Sequence, residues 1–288
     1  MKWPAMGYLR AETLPDLWLA LAEHGSAAQI IAGGQTLLAT LAFRLSEPGT
    51  LIDITRIPEL RGISVAGGVL RIGALTRHAE LGRDALVRQH APLLTEAVPL
   101  IAHPAIRNRG TIGGSLAYAD PAAELPACIV ALDAAVVTSS AAGERRIPAR
   151  EFFTDLLQTA LNPGEIITAV EIPLAARVGA IQEVARRSGD YAMAGLAAAL
   201  RMEGGRVIAP RLVYFGVGNG PVLAARASAA LGGRALDAAS IAAAQAALAE
   251  DLDPPQDLHG PPEMKRHLAR VLTGRVLNGF LTKTEIAA

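Results

Sequence analysis

The chain has 288 residues, with 27 basic and 27 acidic side chains and a single cysteine, Cys128. That length allows two or three units with substantial cores, and the balanced charge excludes broad electrostatic attraction to nucleic acid or an anionic membrane. One cysteine excludes an internal disulfide, a Cys-rich zinc site and an iron–sulfur cluster held by this chain alone. Although 51% of the residues are hydrophobic, much of that is alanine spread along the chain. No stretch of about 18 residues is continuously apolar and uncharged, so no membrane span is expected. Met1-Lys2-Trp3-Pro4 opens onto no signal-peptide core, and a cytoplasmic location is expected.

In chain order, Thr13 reads as the cap of a helix with Pro15 in its first turn, ended by Gly25. The apolar run Gln29–Ala32 reads as a buried strand, broken by Gly33-Gly34; a helical run to Leu45 and a strand at Leu51–Ile54 follow. Strand, helix and strand in this compass predict a small parallel layer. Around Gly62 the texture changes: residues 63–65 and 69–72 predict a hairpin about Gly67-Gly68. Helices are predicted at Thr76–Leu81 and Pro92–Ile101, then a loop of small residues over 102–121 and an apolar helix at Glu124–Leu132. Strands return at Ala134–Thr138 and Ile166–Ile172, with a boundary at Pro173. Beyond it, 181–187, 192–202 and 206–217 read as three long strands, and 222–231, 237–250 and 262–280 as helices. Strands followed by helices imply an α+β unit.

Two glycine turns carry the chemistry. Ala32-Gly33-Gly34-Gln35-Thr36 follows a predicted strand, and Thr111-Ile112-Gly113-Gly114-Ser115 lies in the small-residue loop. Glycine lets a ligand approach without meeting a Cβ, and successive exposed amides can hold phosphate oxygens. A single Gly-Gly turn is commonplace; two of similar composition match the two phosphates of a dinucleotide. There is no P-loop and no G-x-G-x-x-G opening a βαβ unit. Gly216-Val217-Gly218-Asn219-Gly220, followed by Pro221, reads as a strand-ending turn.

The run from Ile101 to Pro126, with His103-Pro104, Arg107-Asn108-Arg109-Gly110-Thr111-Ile112-Gly113-Gly114-Ser115 and Tyr118-Ala119-Asp120-Pro121, resembles the FAD-binding signature of the medium subunits of the molybdenum hydroxylases, the carbon monoxide dehydrogenase and xanthine dehydrogenase class. Ala32–Leu38, Arg186–Ala192 and Gly216–Pro221 match that family in order and spacing, so the resemblance spans essentially the whole chain. It implies a multidomain α/β and α+β fold. A two-part FAD-binding region of the PCMH type (1–60 and 61–173) would precede a C-terminal domain (174–288) with a three-stranded antiparallel sheet and helices. FAD would lie in the cleft between the first two parts. Ala32, Gly33, Gly34, Gln35 and Thr36 on one side, and Thr111, Ile112, Gly113, Gly114 and Ser115 on the other, would bind its diphosphate. Asp120 and Glu124 would lie near the ribose and adenosine, Ile101, Ala117 and Ile167 would line the pocket, and Tyr191 would screen one face of the isoalloxazine. Tyr118 stands where many relatives have His or Thr, and Glu124 where Asp is frequent.

The six histidines have no metal spacing, no metal ligands are expected, and no catalytic acid–base set stands out. Arg107 and Arg109 suit either phosphate or, more commonly, carboxylates and loop carbonyls. The resemblance implies a flavoprotein subunit passing electrons from a small subunit's [2Fe–2S] clusters through FAD to an external acceptor, alongside a large molybdenum-cofactor subunit in a dimer of heterotrimers. A self-contained FAD oxidoreductase and an FAD-less scaffold subunit are the alternatives. Gly34→Val and Gly114→Val are expected to lose FAD.

Overall fold

The structure, a computed structural model, describes residues 3–287. Met1 and Lys2, at the start of the segment read for a leader, and Ala288 lie outside the described residues.

The first sheet comes from residues 7–53. Strand β1 (Gly7–Arg10), helix α1 (Leu14–His24), strand β2 (Ala28–Ile31), helix α2 (Leu37–Ala42) and strand β3 (Thr50–Asp53) give a parallel sheet in the order β1-β3-β2. Helix α1 starts where expected, because Thr13 and Asp16 form a reciprocal capping box. Strand β1 is absent from the sequence reading: all four of its residues are exposed, so it has no buried face to leave a pattern. Helix α2 is shorter than the predicted run to Leu45, for the chain turns left-handed at Arg44 (φ 56°).

The second sheet is antiparallel throughout. Strands β4 (Ile63–Ala66) and β5 (Val69–Gly73) form the expected hairpin, with Gly67 and Gly68 at φ 58° and 77°. Short helices follow: α3 (His78–Leu81), α4 (Ala85–His90), α5 (Pro92–Ala97), α6 (Pro104–Arg107), α7 (Ile112–Tyr118) and α8 (Glu124–Ala131). The presumed loop over 102–121 therefore holds two helices. Strands β6 (Ala135–Ser140) and β7 (Gly143–Pro148), helix α9 (Ala149–Phe152), the small hairpin β8 (Phe153–Asp155) with β9 (Gln158–Thr159), and strand β10 (Ile166–Pro173) complete the order β4-β5-β10-β6-β7.

The third sheet is β11 (Val178–Ala185), β12 (Ala192–Glu203) and β13 (Arg206–Phe215), the three strands expected, with the two-residue β14 (Val222–Leu223) added at one edge. It is backed by α10 (Ala225–Leu231), α11 (Ala238–Asp251) and α12 (Pro262–Ala287).

Helix α8 explains why these sheets form one body. Every residue from Leu125 to Ala131 is buried, because the helix lies between the second and third sheets and has no face left for water. Leu70, Ile72, Ile129 and Val136 share one apolar cluster with Ala197, Val213 and Phe215 of the third sheet. At about 1.5–3 kcal/mol for each fully buried large side chain, this shared core fixes the two sheets relative to each other. A smaller cluster ties Leu17 and Ile52 of the first sheet to Leu60, Leu75 and Ile166. Among the described residues no helix is long and apolar enough to cross a membrane.

Candidate functional site

The first glycine turn lies at the carboxyl end of the parallel strands β2 and β3, where open α/β layers receive ligands. Among the hydrogen bonds of the described residues, none takes up the amides of Gly33, Gly34, Gln35 or Thr36. The Gln35 side-chain amide donates to the Gly33 carbonyl at 3.0 Å and braces the turn from within. Gly34 has φ +72°, which glycine adopts freely. Gly33 is required for closeness: a Cβ there would stand 2.2 Å from the Arg109 carbonyl oxygen and 2.9 Å from the Gly110 Cα. The first turn therefore rests directly on the backbone leading into the second, although the two lie far apart in sequence. Half-buried, half-backed amides with no internal acceptor suit an anionic diphosphate, which would supply the missing acceptors.

The second turn is built differently from the expectation. Residues 112–118 are helical, and their first amides are already bonded. Ile112 donates to the Thr76 carbonyl (3.0 Å), Gly113 to the Ala74 carbonyl (2.9 Å), Gly114 to Thr111 Oγ1 (3.1 Å) and Ser115 to the Thr111 carbonyl (3.0 Å). The His78 amide donates to the Gly110 carbonyl at 2.9 Å, so the segment 74–78 zips alongside 110–113. Gly113 permits this contact, since a Cβ there would come within 2.6 Å of the Ala74 Cβ and 2.8 Å of its oxygen. Gly114 faces open space apart from the Thr111 hydroxyl. This turn therefore has no row of free amides: Thr111 is buried with its hydroxyl capping the helix, and Gly114 leaves a bare Cα beside it.

Past α7 the chain turns left-handed at Ala119 (φ 55°), and the Asp120 carboxylate accepts the Ala122 amide at 2.9 Å. Asp120, Glu124, Tyr118 and Tyr191 lie near enough for each to sense a neighbour's charge. Burial raises Asp120 above the ordinary carboxyl range and pushes Glu124 up to about 8. On β11, burial likewise lifts Glu183 to about 7, and its Oε2 is buried with no hydrogen-bond partner among the described residues. Glu183 lines an open cleft of about 230 Å³ with Leu100, Ala185, Arg187, Ser188 and Gly189. The cleft leads to the loop that presents Tyr191, which is 60% exposed. Ala117 is exposed on α7, whereas Ile101 and Ile167 are core residues that back the region rather than face solvent.

The sign of a raised carboxyl is definite: the folded chain holds a proton that the unfolded chain releases above about pH 4.5, so stability falls as pH rises toward 8. Glu124→Gln is expected to flatten that fall. Each 1 kcal/mol of burial cost removed should raise the unfolding midpoint at pH 8 by roughly 2–4 °C. Thermal melts of the apo chain at pH 5 and pH 8 check this; equal midpoints for wild type and variant at both values would place Glu124 in contact with water.

Two residues escaped the sequence reading. Thr76 and His78 alternate inward about exposed Arg77, and Thr76 Oγ1 and both His78 nitrogens are buried with no partner among the described residues. Burial pushes the imidazole down to about 4, so it stands neutral behind the second turn. Arg107 takes the commoner of its two expected roles and donates to backbone carbonyls of the 99–102 turn. The alternation about Arg77 was available in the sequence, but only pairing with 110–112 gives it meaning. Among the described residues no group of three or more His, Cys, Asp or Glu side chains is placed to hold a metal ion. Cys128 is fully buried.

Comparison with known proteins places this geometry. Residues 4–175 match the family described as the FAD binding domain in molybdopterin dehydrogenase, and residues 179–280 match the CO dehydrogenase flavoprotein C-terminal domain. The chain is 41% identical over 280 residues to the 6-hydroxypseudooxynicotine dehydrogenase complex subunit alpha of Paenarthrobacter nicotinovorans, covering 96% of this chain and 95% of the relative. Its backbone superposes on a chain of carbon monoxide dehydrogenase from Hydrogenophaga pseudoflava with a TM-score of 0.94 and 36% identity, over 96% of this chain and 98% of that one. A chain of quinoline 2-oxidoreductase from Pseudomonas putida 86 gives 0.92 and 39%, over 97% and 98%.

Proposed function

The chain belongs to the FAD-binding subunits of the molybdopterin dehydrogenases, and from that premise we propose how its residues serve the flavoprotein subunit of a molybdenum hydroxylase complex. It is an oxidoreductase component that binds FAD, and it works with a large molybdenum-cofactor subunit and a small [2Fe–2S] subunit. Bound FAD supplies the exchange between one-electron carriers and a two-electron acceptor.

The chain's own contribution is position and exclusion. The amides of Gly33, Gly34, Gln35 and Thr36, at the end of Ala32, take the diphosphate from one side. Thr111 and Ser115 offer hydroxyls from the other, and Ile112, Gly113 and Gly114 set the distance between the two. Asp120 and Glu124 sit toward the ribose and adenosine. A Glu124 that keeps its proton at neutral pH can donate a hydrogen bond as well as accept one. Ala117 offers the apolar lining, Ile101 and Ile167 back it from the core, and Tyr191 would cover the ring and limit water. The three sheets support a division into 1–60, 61–173 and 174–288, and the reading includes a dimer of heterotrimers in the cytoplasm.

One observation carries the assignment: four consecutive amides with no acceptor among the described residues, seated on the Arg109–Gly110 backbone. Co-expression with the two partner subunits, followed by flavin absorption and turnover, tests it. Flavin in the purified chain, with dye reduction only when both partners are present, is the expected result. Turnover by the isolated chain would make it self-sufficient. A colourless chain that free FAD cannot reconstitute would make it a scaffold.

A further inference from the structure

Nη1 of Arg107 lies 2.7 Å from the Ile101 carbonyl oxygen, 2.9 Å from that of Ala102 and 3.4 Å from that of Pro99. This one nitrogen thus gathers the carbonyls of a turn whose last residue, Ala102, is left-handed at φ +40° without being glycine. An alanine holds that conformation only where its surroundings impose it. The same Ala102 oxygen is met from the other side by the loop that joins β11 to β12. A Cβ at Gly189 would come 2.5 Å from Ala102 O and 2.9 Å from its carbonyl carbon, and Gly189 itself has φ +78°. From that seat two hydrogen bonds carry the loop on to Tyr191. The Asp190 amide donates to the Arg187 carbonyl at 3.1 Å, and the Asp190 carboxylate accepts the Tyr191 amide at 2.9 Å. A continuous line of contacts therefore runs from α6, inside the run that resembles the FAD signature, through Arg107, Ala102 and Gly189 to Tyr191.

We propose that Arg107 is a positioning residue for the Tyr191 loop: by holding the 99–102 turn it fixes the surface on which Gly189 sits, and so sets how closely Tyr191 covers the flavin. This rests on the reading of Tyr191 as the flavin's cover. The arginine's role is geometric. All three contacts run through one nitrogen, Nη1, at the far end of the side chain; a lysine ammonium stops one bond short of it on a flexible stem, and a glutamine amide stops two bonds short and loses the charge.

The test uses the FAD-loaded complex and reads flavin exposure rather than turnover: quenching of flavin fluorescence by iodide, and the rate at which dioxygen reoxidises the dithionite-reduced flavin. Arg107→Gln is expected to retain stoichiometric FAD while both readouts rise severalfold toward those of Tyr191→Ala. Arg107→Lys should fall between, and Arg107→Gln combined with Tyr191→Ala should match Tyr191→Ala alone, because both act through one side chain. If Arg107→Gln does not hold FAD, Gly189→Ala, which disturbs the same seat from the loop side, is read in its place. Wild-type exposure in Arg107→Gln, or effects that add in the double variant, overturns the proposal. Unchanged exposure in Tyr191→Ala overturns instead the reading beneath it, and the two failures are told apart by which single variant is silent.

Discussion

Gly33→Val is expected to give a folded complex almost free of FAD. The new Cβ would begin 2.2 Å from the Arg109 oxygen and 2.9 Å from the Gly110 Cα, and both are backbone atoms that cannot rotate away. The turn must lift off the second loop, and its four free amides then no longer converge. Hydrogen bonds to a charged acceptor are worth about 1.5–3 kcal/mol each, so losing two lowers affinity by roughly a hundredfold or more. The turn is half-buried and makes little of the core, so the unfolding midpoint should stay within a few degrees of wild type. The ratio of flavin absorbance to polypeptide in the purified complex, with a melt beside it, gives the answer. Stoichiometric FAD in this variant would mean that the diphosphate is held elsewhere. Gly34→Val tests the same turn by strain: φ +72° costs a side chain about 1–2 kcal/mol, and Leu38 and Ile31 already stand 3.1 and 3.3 Å from its would-be Cβ.

Gly113→Val is expected to fail through the fold as well as through the cofactor. Its Cβ would meet Ala74 Cβ at 2.6 Å and Ala74 O at 2.8 Å, and that oxygen accepts the amide of Gly113 itself. The variant pries 110–113 away from 74–78, exposing the Thr76 and Gly110 carbonyl pairings that follow. Overpacking of this kind costs about 1–3 kcal/mol before the lost hydrogen bonds are counted, which lowers the midpoint by on the order of 5–10 °C. FAD content falls with it. Gly114→Ala is the informative neighbour, for it meets only the Thr111 hydroxyl at 3.0 Å and leaves the fold intact. Loss of FAD without loss of stability there, and the reverse order of damage at Gly113, would separate the ligand-facing glycine from the packing one. A Gly113→Val chain that melts like wild type would show that the zipper is not what holds the second turn.

The two glycines look alike in sequence, and that likeness marks the limit of what sequence conveys. The first turn was legible as it stands: an apolar strand, two glycines and a hydroxyl, with the amides left free because a turn at a strand end has no partner to offer them. The second had the same letters and was read as the same device. Its helix was unforeseen because two glycines are poor helix formers. It forms because carbonyls at 74 and 76, more than thirty residues earlier, take up its first amides. Strand β7 went unpredicted for a related reason. Gly143–Pro148 carries its arginines outward without a buried apolar alternation, and its place in the sheet comes from the backbone ladder with β6, accompanied by Arg145–Glu165 and Arg146–Glu171 pairs at the surface.

The amino-acid order alone determined the capped helix α1, the hairpin at Gly67-Gly68, the three long strands of the last third and the family resemblance from Ile101 to Pro126. All of these depend on neighbours within a few residues, where propensity and periodicity act directly. Which cradle keeps its amides free, which cation turns toward carbonyls instead of a phosphate, and which carboxyl holds a proton at neutral pH were settled by the tertiary structure. Each depends on what lies across the chain at van der Waals distance and on how far water is excluded, and neither quantity is written in local order.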